Sequence, residues 1–209
     1  MTFICAEIGV NWRNLNEADE MIREAAAAGA NACKFQAYEK FCSPDQDETL
    51  KRALNDIRLD ETAVRYLYWR CRAAGVEFMC TPMYPEAVAT LDPYVKRWKV
   101  RYKDRENLEI LDAIEKTGKP ALISGGNVFC IPEYPPGKQS IPPCDLDEKG
   151  YVGYSSHIPC WKDPTVLGDI KYLEVHVKRD HYPDNYCPID NAVSITMSEL
   201  AELCRRLNP

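Results

Sequence analysis

Two histidines and two lysines stand where ordinary packing would not put them. His157 follows one short apolar run in the last third of the chain, and His176 lies within the next, Tyr172 to Val177. Two imidazoles from adjacent strand ends can ligate one divalent ion and leave positions open for water and substrate. The plainer alternative is a pair of hydrogen-bonded, partly buried histidines. Glu174, two residues before His176, points to the same side of a strand and can join as a third polar group, whereas His181 falls outside the run and reads as a surface residue. Lys34 and Lys99 sit inside apolar runs, where an ammonium group needs a partner. A bound phosphate or carboxylate supplies one; so does an internal ion pair with Glu7 or another acid, and the sequence leaves both open. Glu7 and Asn11 belong to the end of the first apolar run, Gln36 accompanies Lys34 in the second, Thr81 ends the third and Ser124 the fifth. One or two polar groups per strand, on neighbouring strands, is the layout of an active site at one end of a sheet.

The elements that must position these groups alternate along the chain. Phe3 to Gly9 reads as a strand; Glu17 to Ala28 reads as a helix, with Ala18, Met21, Ile22 and Ala25 at helical spacing and Gly29 as its stop. Asn31 to Gln36 is the next strand, followed by a polar excursion and a helix from about Asp60 to Ala74. Val76 to Thr81, Trp98 to Tyr102 and Ala121 to Ser124 continue the strands, with helices at Glu86 to Leu91 and Leu108 to Lys116 between them. Val152 to Ser155 and Tyr172 to Val177 are two more strands, joined through a short helix near Pro164 to Asp169. Ser198 to Leu207 reads as a last helix with Ser198 as its N-cap. Strands separated by helices imply parallel pairing with right-handed crossovers, in a doubly wound sheet or a barrel. Val128 to Ile131 is the exception. It follows the fifth strand too closely for a crossover, so either that strand runs on or the sheet is irregular there.

The 209 residues suit one domain, and the formal charge of -6 carries no block of like charge that would mark a nucleic-acid partner. Ten cysteines are many for this length, yet no Cys-x-x-Cys occurs; Cys5, Cys33 and Cys80 lie in apolar runs that read as strands, and Cys71 and Cys204 in helical patterns. They read as small hydrophobes in a reducing compartment. The first residues offer neither a basic stretch nor a long apolar run, so no signal peptide and no membrane span are expected, and a cytoplasmic location is. Gly125-Gly126 reads as a turn or as an anion-facing pair of amides, and the four tryptophans as packing residues.

Taken in order, Glu7-Ile8-Gly9-Val10-Asn11, Lys34-Phe35-Gln36, Phe78-x-Cys80-Thr81-Pro82, Thr117-Gly118-Lys119-Pro120 with Ser124 and Gly126, Gly153-Tyr154-Ser155-x-His157, Glu174-x-His176 and Asp190-x-x-x-Ser194 form a series. This series resembles the N-acetylneuraminate (sialic acid) synthase family over nearly the whole chain. The resemblance implies a TIM-type (β/α) barrel, shortened or distorted around strands five and six, as a single domain without the family's C-terminal antifreeze-like domain. It implies condensation of phosphoenolpyruvate with an N-acylated amino sugar aldehyde, releasing phosphate. His157 and His176 take the family's metal positions, for manganese first and magnesium or cobalt as alternatives. Lys34, Thr81, Lys99, Ser124 and Ser155 fall where the family surrounds phosphoenolpyruvate. Glu7 matches its catalytic glutamate and Asp190 an acid near the sugar, with Asn11 and Gln36 among the substrate-side groups.

Three positions depart from the family pattern. Trp12 replaces a histidine, Tyr102 replaces a serine expected near the phosphate, and Ser156 replaces a carboxylate beside the metal position. The Tyr102 hydroxyl, Arg101 or Lys103 are the groups left to reach an anion there. Two other readings stand beside the synthase: a metal-dependent aldolase or lyase acting on a pyruvate-like substrate, and a catalytically impaired relative that binds a sugar acid or a protein through its Pro-rich stretch, Pro132 to Pro143. A barrel lacking one crossover helix should bare an apolar flank near strands five and six, so a homodimer or a loop cover is expected there.

Overall fold

The computed structural model describes residues 1–39, 48–130, 146, 150–156, 169–180 and 194–209. The first strand, β1 (Phe3–Gly9), leads into helix α1 (Leu15–Ala28). Asn14 caps α1 by accepting from the backbone amides of Asn16 and Glu17, and Gly29 ends it. β2 (Ala32–Ala37) follows, then α2 (Glu48–Asp56) and α3 (Glu61–Ala73), then β3 (Glu77–Pro82) and α4 (Pro85–Leu91). The polar excursion expected after β2 thus contains a helix. α2 is anchored where the Tyr38 hydroxyl donates to the Leu54 carbonyl at 2.5 Å, with Leu54 fully buried.

β4 (Trp98–Val100) is shorter than expected, because the chain turns into a 3-10 turn over Tyr102–Asp104. After α5 (Leu108–Glu115) come β5 (Ala121–Ile123), β6 (Val128–Cys130), β7 (Gly153–Ser156), β8 (Tyr172–Lys178), β9 (Ile195–Thr196) and α6 (Met197–Leu207). The cap of α6 is Thr196 rather than Ser198: Thr196 and Glu199 form a reciprocal capping box, and the Ser198 hydroxyl turns instead to Asp180.

Every pairing among the described strands is parallel. The main sheet runs β3-β2-β1-β8-β7-β6 with β9 beside β8, and β4 pairs with β5 in a separate ladder. The sheet curls into a shortened, distorted TIM-type barrel with helices outside. Between β3 and β4 there is no hydrogen-bonded ladder; side chains span the gap, with Arg97 on Glu77 at 2.9 Å and Arg101 against the Met83 sulfur at 3.2 Å. Alternation along the strands divides two cores. Ile4, Ala6, Ile8, Cys33 and Phe35 face outward onto α1 and α3, while Cys5, Ala32, Met79, Val128 and Tyr172 fill the barrel interior. The six described cysteines, Cys5, Cys33, Cys71, Cys80, Cys130 and Cys204, are buried thiols, as a reading of them as hydrophobes requires.

The irregularity at strands five and six is a sidestep. β5 ends, the chain turns through Gly125, and β6 continues in the same direction one position over, so no crossover is needed. A single parallel bridge, Ser124 to Val128, joins the two. β5 then pairs only with β4, and β6 only with β7. Asn127 closes the open side of β5: its side-chain oxygen accepts from the Ile123 amide at 2.7 Å and its nitrogen donates to the Ala121 carbonyl at 2.9 Å. One carboxamide thereby satisfies two backbone groups that a neighbouring strand would otherwise take. Outside this region Phe129 packs against Tyr151 and Tyr154, and Leu146 is fully buried, so chain segments cover part of the flank; Val152 remains exposed. The expected helix near Pro164 lies outside the described residues, as does the Pro-rich stretch.

Candidate active site

Period-two alternation sends Glu7, Lys34, Lys99, Ser124, Ser155, Glu174 and His176 into the barrel toward the carboxyl ends of its strands. The two lysines are buried, at 4% and 2% exposure. Lys34 Nζ lies 2.5 Å from Glu7 Oε2, donates to Thr81 Oγ1 at 3.1 Å, and is 3.7 Å from Glu174 Oε1. Lys99 Nζ donates to Ser124 Oγ at 2.6 Å and lies 3.7 Å from the same Glu174 oxygen. The internal ion pair that the sequence left open is therefore present, with Glu174 as the carboxylate common to both lysines. Glu174 is held by hydroxyls: Ser155 donates to Oε1 at 2.9 Å and Tyr172 to Oε2 at 2.6 Å. Glu7 has its second oxygen occupied by Gln36, which donates at 2.9 Å.

These surroundings drive the two carboxylates apart. Burial raises the Glu7 carboxyl above the usual carboxylate range, although Lys34 pulls the other way. Burial acts on Glu174 in the same sense but is outweighed by Lys34 and Lys99, which hold it well below that range. Burial likewise disfavours the charge on Lys34; Glu174 and Glu7 reverse this and raise its pKa. Two carboxyls separated in this way suit two roles, one exchanging a proton and one staying charged.

His176 is buried, stands opposite Glu7 in the β1–β8 register, and faces inward two residues beyond Glu174. His157 and Asp190 lie outside the described residues. Asn11, also buried, donates through Nδ2 to the Val177 carbonyl at 2.8 Å and to Ser194 Oγ at 3.2 Å, which ties the end of β1 to the end of β8. Tyr102 is partly buried, with the Arg105 guanidinium 4.0 Å over its ring. Its ring lies so close to Gly125 that a Cβ there would come within 2.6 Å of it. Trp12 turns away from the cleft, into the outer core: its indole nitrogen donates to the Gly9 carbonyl at 3.0 Å and its ring meets Phe35 edge-on. Sequence reasoning missed Tyr172 and Cys130, which share this interior. Counting back from His176 in two steps of two passes Glu174 and reaches Tyr172, and one step of two on from Val128 reaches Cys130.

The NeuB family model matches residues 21–130, more than half of the chain. The chain belongs to the NeuB family. Its relatives include the N,N'-diacetyllegionaminic acid synthase of Campylobacter jejuni, 31% identical over an aligned length of 141 residues, covering 60% of this chain and 42% of that protein. The chain thus spans about two fifths of that relative's length. The human N-acetylneuraminate-9-phosphate synthase is 26% identical, covering 97% of this chain and 68% of the human one. Among solved structures, the N-acetylneuraminic acid synthetase of Leptospira borgpetersenii, crystallised with citrate, superposes with a TM-score of 0.74 at 24% identity, covering 98% of this chain and 81% of that one. At that identity the likeness concerns the fold. No described helix is long and apolar enough to cross a membrane.

Proposed function

We propose that this NeuB-family domain condenses phosphoenolpyruvate with an N-acylated amino sugar aldehyde and releases phosphate. The observation that carries this reading is the convergence of two buried lysines, with the hydroxyls of Thr81, Ser124 and Ser155, in the barrel interior beside two carboxylates whose acid strengths are driven apart. Lys34 and Lys99 supply positive charge for a phosphate and a carboxylate, and the hydroxyls supply directional donors. In the proposed reaction the enol carbon bonds to the aldehyde carbon, water adds at the carbon bearing the phosphate ester, and that ester bond breaks. Glu7, its pKa raised by burial and Gln36 fixing its second oxygen, handles the proton of the water-addition and phosphate-release steps. Asn11 holds the β1 and β8 ends in register around the cleft, and Asp190 serves the sugar.

The family also points to a metal-dependent type of synthase. Among the described residues no group of three or more metal-binding side chains forms a cluster. An imidazole is nonetheless a donor suited to a divalent ion, and His176 supplies a buried one. His176 together with His157 would hold it, manganese in the first instance and magnesium or cobalt as alternatives. When bound, the ion supplies Lewis-acid polarisation of the sugar aldehyde.

The test is phosphate release from phosphoenolpyruvate with N-acetylmannosamine, on protein stripped with chelator and reloaded with manganese. Release should require the sugar and the ion, and metal analysis of the reloaded protein should find about one divalent ion per chain, as expected for a single catalytic site. His176→Ala should lose that ion. Release that is indifferent to the sugar, or an ion retained by both His157→Ala and His176→Ala, would overturn the assignment.

A further inference from the structure

We infer that Glu174 is a built-in counter-charge that limits how tightly this cleft holds an anion, and so is a specificity-setting residue for phosphorylated carboxylates. The inference rests on the proposed phosphoenolpyruvate site and deepens it. Its basis is how the four buried charges are shared. Lys34 has a close partner of its own, Glu7 at 2.5 Å, whereas among the described residues the carboxylate nearest Lys99 is Glu174 at 3.7 Å. That same oxygen is also 3.7 Å from Lys34, so both ammonium groups flank it at a distance too long for a good hydrogen bond. The short contacts of Glu174 go to the hydroxyls of Ser155 and Tyr172, at 2.9 and 2.6 Å. The carboxylate is thus pinned by neutral groups and offsets the lysine charges without using up their donors.

An anion entering between Lys34 and Lys99 finds N–H groups available but meets a fixed negative charge that does not leave. In a buried site such a like charge is weakly screened. A cleft with two lysines and no Glu174 would trap phosphate, the product of the proposed reaction, as firmly as the substrate. With Glu174 in place, only an anion that engages both lysines and the surrounding hydroxyls at once binds well.

Binding of inorganic phosphate and of phosphoenolpyruvate to the parent and to Glu174→Gln, measured by calorimetry on the full chain, decides the matter. The variant keeps the shape and loses the charge, and phosphate should bind at least about tenfold more tightly, as removal of a near like charge implies. Equal or weaker phosphate binding by a folded Glu174→Gln overturns the inference, even if phosphoenolpyruvate binds the parent and the proposed function stands. If neither protein binds phosphoenolpyruvate, the proposed function falls, and the phosphate comparison alone still judges Glu174. Should Glu174→Gln fail to fold, Tyr172→Phe replaces it. Freed of the phenol, the carboxylate is drawn onto the lysines and phosphate affinity should drop by about tenfold or more, the order of one hydrogen bond to a charged group; unchanged affinity overturns the inference.

Discussion

At the scale of single residues, the site depends on the unequal standing of Glu7 and Glu174. Glu7→Gln should lower turnover by about a hundredfold or more, the usual contribution of a positioned acid–base group. It should also tighten phosphoenolpyruvate binding, because Lys34 loses its carboxylate at 2.5 Å, and steady-state kinetics would separate the two effects. Glu174 makes a prediction about stability. Its folded pKa lies below the value near 4.3 of an unfolded glutamate, so the unfolded chain binds more protons as pH falls. The stability it contributes is present above that unfolded value and is lost as pH drops toward the folded one. Denaturant titrations should show the parent losing stability below about pH 4.3 more steeply than Glu174→Gln does; parallel curves would contradict the charge assignment. Much of this was legible beforehand. A lysine in an apolar run announces a partner, and of the two weighed for it the internal ion pair is the one observed. Which carboxylate would bridge the lysines was not legible, because that depends on how far β8 is staggered against β1 and β7, and stagger leaves no mark on side-chain alternation.

Elements tell a similar story with different failures. Strongly periodic stretches such as Ala18 to Ala25 and apolar runs such as Phe3 to Gly9 became the elements expected of them, because burial of one face decides both. α2 escaped notice since few of its residues are apolar and it is anchored by contacts from β2 that a sequence does not display. β9 has two residues and exists only through its pairing with β8. The sidestep from β5 to β6 was visible as a conflict, two strands with no room for a crossover, and its resolution lies in Gly125 and Asn127. Gly125 has φ of 77°, where a side chain is strained, and the Tyr102 ring occupies the space a Cβ would need. Gly125→Ala should therefore cost about 1–3 kcal/mol. Asn127→Ala gives up two exposed hydrogen bonds to β5 that water can replace, and should cost less, about 0.5–1.5 kcal/mol, by equilibrium unfolding. Thr196→Ala, which breaks the capping box of α6, should cost about 1 kcal/mol, whereas Ser198→Ala leaves that box whole.

For the whole molecule, the two separate ladders matter more than the number of strands. Lys99 and Ser124 ride on the β4–β5 pair, while Lys34, Thr81, Ser155 and Glu174 belong to the larger sheet. On one side the ribbon meets β3 through side chains, and on the other it is joined to β6 by one bridge. Half of the cleft can consequently breathe against the other half without tearing a ladder, which an unbroken barrel would forbid. Deuterium uptake should reveal this as earlier labelling of the Lys99 and Ile123 amides, which point away from the β4–β5 ladder, than of those in β1 and β8, slowed once a phosphate analogue draws the two lysines together.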